Sequence, residues 1–175
     1  NTINSATGIV LPGVGAFEEG MKFLNNNDLS EAIRRRVCEK GVPILGICLG
    51  MQLLADTSTE HGDHDGLGLV GGQVIKLDPA DPSFRVPNIG WSYTNPATQG
   101  RLFDNLEKIQ SFYYVHSYHL QCKNEEDVAA TINYSGVDVT VAIEKDNIFG
   151  VQFHPEKSQD AGLELLSRFV SALDG

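Results

Sequence analysis

Cysteine is scarce in this chain. Cys38, Cys48 and Cys122 are widely spaced and odd in number, which excludes a disulfide framework and matches no zinc-ligand spacing. A reducing, cytoplasmic setting is the expectation. No apolar run approaches the ~20 residues that a membrane-crossing helix needs. Basic residues are also few. Against 23 Asp and Glu there are 13 Lys and Arg, a net charge of −10, which argues against nucleic acid and anionic membrane as main partners. Internal repeats, low-complexity tracts and Ser/Pro-rich linkers are missing as well. No signal-peptide layout is visible, although the sequence opens at Asn1 and not at a methionine. The 175 residues, 41% hydrophobic and 21% charged, have the composition of one soluble globular domain with a sizeable core.

The apolar pattern is that of an α/β domain. Residues 8–11 read as a short, fully buried strand stopped by Pro12-Gly13, and residues 43–47 as a second. Helices are expected over residues 17–24, 49–56 and 163–173, the last with an amphipathic stripe. Ser30 reads as the N-cap of a helix through Glu39, with Gly41 as its C′ residue. Further strands are expected at 69–77, 112–115, 128–133, 137–144 and 148–153. The sum is a mixed, mostly parallel sheet covered by helices. The first strand arrives without a preceding βα unit, so a strand and a helix are expected to be missing from the front.

Two segments carry chemistry. In Gly46-Ile47-Cys48-Leu49-Gly50-Met51-Gln52 an apolar strand runs into Gly-x-Cys-x-Gly and then into a helical pattern. This is the thiol form of a nucleophile elbow. Glycines on both sides relieve the turn, and the dipole of the following helix would favour thiolate. In Gln152-Phe153-His154-Pro155-Glu156 a histidine follows another apolar run. The extended backbone around Pro155 turns His154 and Glu156 the same way, so the carboxylate can orient the imidazole. Taken alone, a buried structural cysteine and a surface His-Pro turn explain these segments as well. Pro12-Gly13-Val14-Gly15 is a turn after a buried strand that could present N–H groups to an oxyanion. His61 and His64, in a Gly- and Asp-rich stretch, read as a solvated loop and not as metal ligands. His116 and His119, in an aromatic segment, read as pocket lining or as packing.

Together, and in this order, the segments resemble the class I (triad) glutamine amidotransferases, a flavodoxin-like fold. The turn Leu11-Pro12-Gly13-Val14-Gly15-Ala16-Phe17 is most similar to the glutaminase subunits of imidazole glycerol phosphate synthases. So are Gly66-Leu67-Gly68-Leu69, the Pro-x-x-Gly-Trp at 87–91 and Tyr114-Val115-His116-Ser117-Tyr118. The likeness spans essentially the whole chain, residues 1–175, as a single domain. It implies that Cys48 attacks L-glutamine to form a thioester, that His154 is the acid and base, and that Glu156 orients it. It also implies an oxyanion hole from Gly13, Val14, Gly15 and the N–H of Leu49. Gln52, Glu60 and the main chain of Ser117 and Tyr118 would hold the substrate. Trp91 and Lys157 would meet a (β/α)8 synthase subunit that receives the ammonia. No cofactor or metal is implied.

One departure bears on the partner. The family pattern Pro-His-Met-Gly-Trp-Asn appears here as Pro87-Asn88-Ile89-Gly90-Trp91-Ser92. A paralogous glutaminase subunit that supplies ammonia for amidation of surface sugars is therefore a second reading. Two further readings stand beside it: a cysteine hydrolase or peptidase of related fold, and a non-catalytic binding or regulatory module that keeps the fold, against which the presence of all three triad residue types argues.

Overall fold

In the computed structural model, residues 2–97, 100–103 and 110–173 are described. The chain enters strand β1 (Ile9–Gly13), then helix α1 (Phe17–Asn26), and α2 (Leu29–Arg34), which runs on through a π turn at Arg35–Glu39. Gly41, with φ +65°, ends this helical stretch as the sequence predicts. Ser30 is not its cap. The cap is Asp28, two residues earlier and in a left-handed conformation, so the helix starts at Leu29, and the Ser30 hydroxyl pairs with Asn25 Oδ1 at 2.6 Å. Strand β2 (Ile44–Cys48) follows and is buried throughout, as its unbroken apolar run requires.

Helix α3 (Leu49–Leu53) is shorter than the periodicity suggests. Beyond Leu54, the run Asp56-Thr57-Ser58-Thr59 is rich in residues that compete with helical bonding. It becomes strand β3 (Ala55–Ser58), which pairs with β4 (His64–Asp65) and with β5 (Val70–Lys76). His64 is therefore in a strand and not in a solvated loop. Strands β6 (Asn88–Pro96), β7 (Gln110–His116) and β8 (Tyr118–Cys122) come next. Then β9 (Val128–Tyr134), β10 (Val137–Lys145) and β11 (Ile148–Val151) lead to helix α4 (Gln159–Ser171).

The strands form a seven-stranded sheet in the order β1-β2-β11-β10-β9-β6-β7 and a four-stranded sheet in the order β4-β3-β5-β8. The larger sheet is mixed, as expected, but it is not mostly parallel, because its parallel part is confined to β1, β2 and β11. The rest pairs antiparallel; β9–β10 and β10–β11 are joined by turns too short to allow anything else. Ser135-Gly136, both at positive φ, joins β9 to β10 in the hairpin geometry that favours such residues. Strand β1 is not fully buried. It lies at the sheet edge, and Val10 is 51% exposed.

Two apolar layers enclose the larger sheet. Ile44 faces one that holds Phe17, Met21 and Leu24 of α1, Ile33 of α2, and Val70 and Val74 of β5. Leu45 and Ile47, on the other face, meet Phe149, Phe153 and α4 through Leu165 and Phe169. This alternation is the two-residue period of a strand covered on both sides. Its consequence for the site is geometric. The parallel strands end together, with Gly13 paired to Cys48 and Val151 to Ile47, and the crevice at their carboxyl ends receives functional groups from all of them.

Candidate active site

The elbow at the end of β2 is strained at the cysteine itself. Cys48 has φ 55° and ψ −113°, a conformation that costs a side-chain-bearing residue on the order of 1–3 kcal/mol. The flanking glycines answer a need for closeness and not for a special φ. A Cβ on Gly46 would lie 2.7 Å from the Gly50 carbonyl oxygen, and one on Gly50 would lie 1.7 Å from that of Leu11. The elbow is thus clamped between β1 and the first turn of α3.

Burial pushes the Cys48 thiol above its ordinary value, and the negative charge of Glu156 adds to the effect. The Leu49 N–H, the Gln152 side chain and the charge of Lys157 act the other way and do not overcome it. The expectation of a dipole-favoured thiolate is therefore not met, because the shift runs toward the thiol. The single short turn of α3 offers little dipole, and desolvation of the sulfur outweighs it. The neutral S–H has the Val115 carbonyl oxygen 3.9 Å away as its acceptor.

His154 sits just beyond β11, buried, with Nδ1 2.8 Å from Glu156 Oε1. A carboxylate only accepts, so Nδ1 carries the proton and Nε2 is left with a free lone pair. The backbone around it is pinned. His154 N donates to Tyr113 O at 2.9 Å, and the Ser158 hydroxyl donates to His154 O at 2.6 Å while accepting from Tyr113 N at 3.0 Å. The preceding Phe153 is fully buried and stacked on Phe112, with centroids 4.0 Å apart. Such a pair contributes about 0.5–1.5 kcal/mol beyond its buried area. Ser158 has no signal in the sequence other than its place four residues after His154.

A cavity of about 360 Å³ brings these parts together. Its walls include Val14 and Gly15, Cys48, Leu49 and Gln52, Glu60, Ser117 and Tyr118, and His154 and Lys157. Gly13 and Glu156 line an adjoining cleft shared with Val14 and His154. Val14 is 80% exposed, and the turn that bears it borders the same cavity as Cys48.

Glu60 does double work. It borders the cavity, and its Oε2 accepts the N–H of Phe17 at 2.7 Å, which caps α1 from a distant segment. The Ser117 carbonyl accepts from Leu77 N at 2.9 Å, and the Tyr118 carbonyl accepts from Gln52 Nε2 at 3.1 Å. His116 also lines the cavity, but as a structural group. Burial pushes its imidazole down to about 4. Its Nδ1–H donates to Tyr118 O at 2.9 Å, and its Nε2 lies 3.1 Å from Asn88 Nδ2.

Trp91 is the site residue that lies away from the cavity. It projects from β6, 49% exposed, against Tyr113, with ring centroids 6.0 Å apart. Lys157 Nζ is 5.9 Å from the centroid of the same Tyr113 ring. Trp91, Tyr113 and Lys157 thus form a continuous path from the outer face of β6 to the cavity rim.

A strained cysteine, a histidine with its tautomer set by a carboxylate, and an exposed glycine-bearing turn border one cavity, and such parts serve nucleophilic attack on a carbonyl. Residues 2–173 match the model of the family described as Glutamine amidotransferase class-I, and the chain belongs to this family of enzymes. It is 46% identical over 173 residues to imidazole glycerol phosphate synthase subunit HisH 2 of Nitrobacter winogradskyi, covering 96% of this chain and 81% of that one. It is 47% identical over 167 residues to subunit HisH of Moorella thermoacetica, covering 95% of this chain and 77% of the relative. Among solved structures, one glutamine amidotransferase superposes with a TM-score of 0.69 at 20% identity, covering 97% of this chain and 80% of its own. Another, from Thermotoga maritima, gives 0.61 at 19% identity, covering 95% and 61%. At that identity the structural likeness establishes the fold alone.

Proposed function

We propose that this chain, acting as one glutaminase domain, is the glutamine-hydrolysing subunit of an imidazole glycerol phosphate synthase. It would release ammonia for a (β/α)8 synthase subunit that makes imidazole glycerol phosphate and an aminoimidazole carboxamide ribotide in histidine biosynthesis. The observation that carries this reading is the meeting of Cys48, the His154–Glu156 pair and the Val14-Gly15 turn at one cavity, in a chain of this family.

The reaction follows from the geometry. Because burial keeps the Cys48 thiol protonated, His154 Nε2 takes the S–H proton as the sulfur attacks the side-chain amide carbon of glutamine. The oxyanion that forms is met by Leu49 N–H and by N–H groups of the Gly13-Val14-Gly15 turn. His154 passes its proton to the departing nitrogen, the C–N bond breaks, and ammonia leaves a γ-glutamyl thioester on Cys48. Water then gives a proton to His154 and attacks the thioester. Glutamate departs, and the sulfur recovers its proton. Gln52, Glu60 and the main chain at Ser117 and Tyr118 hold the amino-acid end of the substrate, and neither step calls for a metal or a cofactor.

Ammonia set free in water would be protonated and lose its lone pair, so the product is useful only if a partner covers the exit. The outer face of β6 is suited to that. Ile89, Trp91 and Tyr93 alternate on it, 61%, 49% and 73% exposed, and such aromatic patches mark interfaces. Lys157 sits beside this face and at the cavity rim. Glutamine hydrolysis by the purified chain is expected to be slow and to rise when the liganded synthase is added. Trp91→Ala is expected to weaken the complex roughly 30-fold, about 2 kcal/mol, as loss of a central aromatic anchor does. Calorimetric titration reads the affinity, and coupled ammonia detection reads the rate. Full hydrolysis without the synthase, or unaltered binding by Trp91→Ala, would contradict the docking geometry.

A further inference from the structure

A buried polar residue in an apolar run needs a reason, and Gln152, between Val151 and Phe153, is fully buried. Its Nε2 lies 3.7 Å from Cys48 Sγ, and its Oε1 accepts from Gln52 Nε2 at 2.9 Å. We propose that Gln152 is a positioning residue for the nucleophile: it presents an N–H to the Cys48 sulfur and holds the thiolate that forms during the reaction. The inference rests on the reading of Cys48 as the attacking group, and it adds to that reading the residue that keeps the sulfur in place.

The direction of the Gln152 amide decides the matter, because an amide turned the other way would face the sulfur with an oxygen. The surroundings set the direction. The Tyr118 carbonyl can only accept, so the group of Gln52 that meets it at 3.1 Å is the NH2. The second hydrogen of that NH2 points at Gln152, which must offer its oxygen. The Gln152 NH2 is thereby left facing Cys48. The same carbonyl fixes the other arm. His116 donates to it through Nδ1, its Nε2 must accept, and Asn88 must donate. One backbone oxygen thus orients a chain of side chains from β6 to the elbow, and every member is buried. Buried networks of this kind specify a single arrangement when all members are satisfied.

The test is the titration of Cys48, read as the pH dependence of alkylation by iodoacetamide in a background with Cys38 and Cys122 changed to serine, alongside glutamine hydrolysis in the presence of synthase. Glu156, Lys157, His154 and the Leu49 N–H also act on or border the sulfur, and all stay unaltered in the variants. Gln152→Met keeps the volume and removes the donor. Its titration midpoint is expected to rise by about one pH unit, leaving about tenfold less thiolate at neutral pH, with a matching fall in kcat and little change in KM. Gln152→Glu is expected to raise the midpoint further, because it places a carboxylate against the sulfur. Should the Gln152 variants not fold by circular dichroism, Gln52→Met serves instead. It releases the Gln152 amide to turn and is expected to move the midpoint in the same direction by less. An unmoved midpoint in a folded variant overturns the proposal even if activity falls. A moved midpoint in a protein that never hydrolyses glutamine leaves it standing and fails the functional reading instead.

Discussion

Cys48→Ala is expected to lower glutamine-dependent ammonia release by at least ~10³-fold, because the substitution removes the proposed nucleophile and leaves only oxyanion stabilisation and binding. The effect has a built-in control. The partner synthase, given ammonium salts in place of glutamine, should turn over at its normal rate with the variant docked. The fold should survive. Cys48 lies at the floor of a cavity, and alanine is smaller than cysteine at a position where the left-handed φ is already tolerated. Glutamine turnover in the variant at more than a few per cent of the parent rate would place the nucleophile elsewhere.

Gly50→Ala is expected to act on the fold first and on activity as a result. The added Cβ would fall 1.7 Å from the Leu11 carbonyl oxygen, and that oxygen belongs to the backbone of β1, which cannot swing aside as a side chain can. Ordinary overpacking costs about 1–3 kcal/mol. Here relief requires β1 to leave its register with β2 or the elbow to open, so a loss of more than about 3 kcal/mol is expected. For a chain of this size that lowers Tm by on the order of 10 °C. Gly71→Ala is the control. Its nearest neighbour is the Lys123 side chain at 3.6 Å, ordinary contact, and its melting curve should stay close to that of the parent. Equal melting of the two variants would mean that the elbow is not clamped as described.

Much of the architecture was legible because packing on both faces leaves a plain signature. The unbroken apolar run of β2 and the elbow follow from local rules, and His154 does meet Glu156, although through a 3-10 turn over Pro155–Lys157 and not through the extended backbone that the sequence suggests. Strand β6 was not legible, for a physical reason. Pro87 and Pro96 stand at its two ends and Gly90 within it, and its apolar side chains Ile89, Trp91 and Tyr93 point outward, the reverse of the pattern expected for a half-buried strand. Outward-facing apolar side chains, here proposed to meet a partner, look like misplaced core when read in isolation. Strand β3 was hidden because it follows α3 with a single residue between, so the helical pattern seemed to continue into it. The thiol was misjudged because desolvation depends on three-dimensional burial, which no local motif reports. Gln152 did carry a signal, a polar side chain in an apolar run, and it gains a meaning only when Gln52 and the Tyr118 carbonyl, distant in sequence, are seen to orient it.

The central claim is that the strained elbow cysteine attacks glutamine with help from His154. The most direct measurement is covalent capture with a glutamine-like electrophile, such as a diazoketone analogue of glutamine, followed by peptide mapping by mass spectrometry. One adduct per chain is expected, on the peptide containing Cys48. It should be prevented by excess L-glutamine and slowed in His154→Asn. Labelling of the exposed Cys38, or ammonia release that continues while Cys48 is fully blocked, would contradict the account.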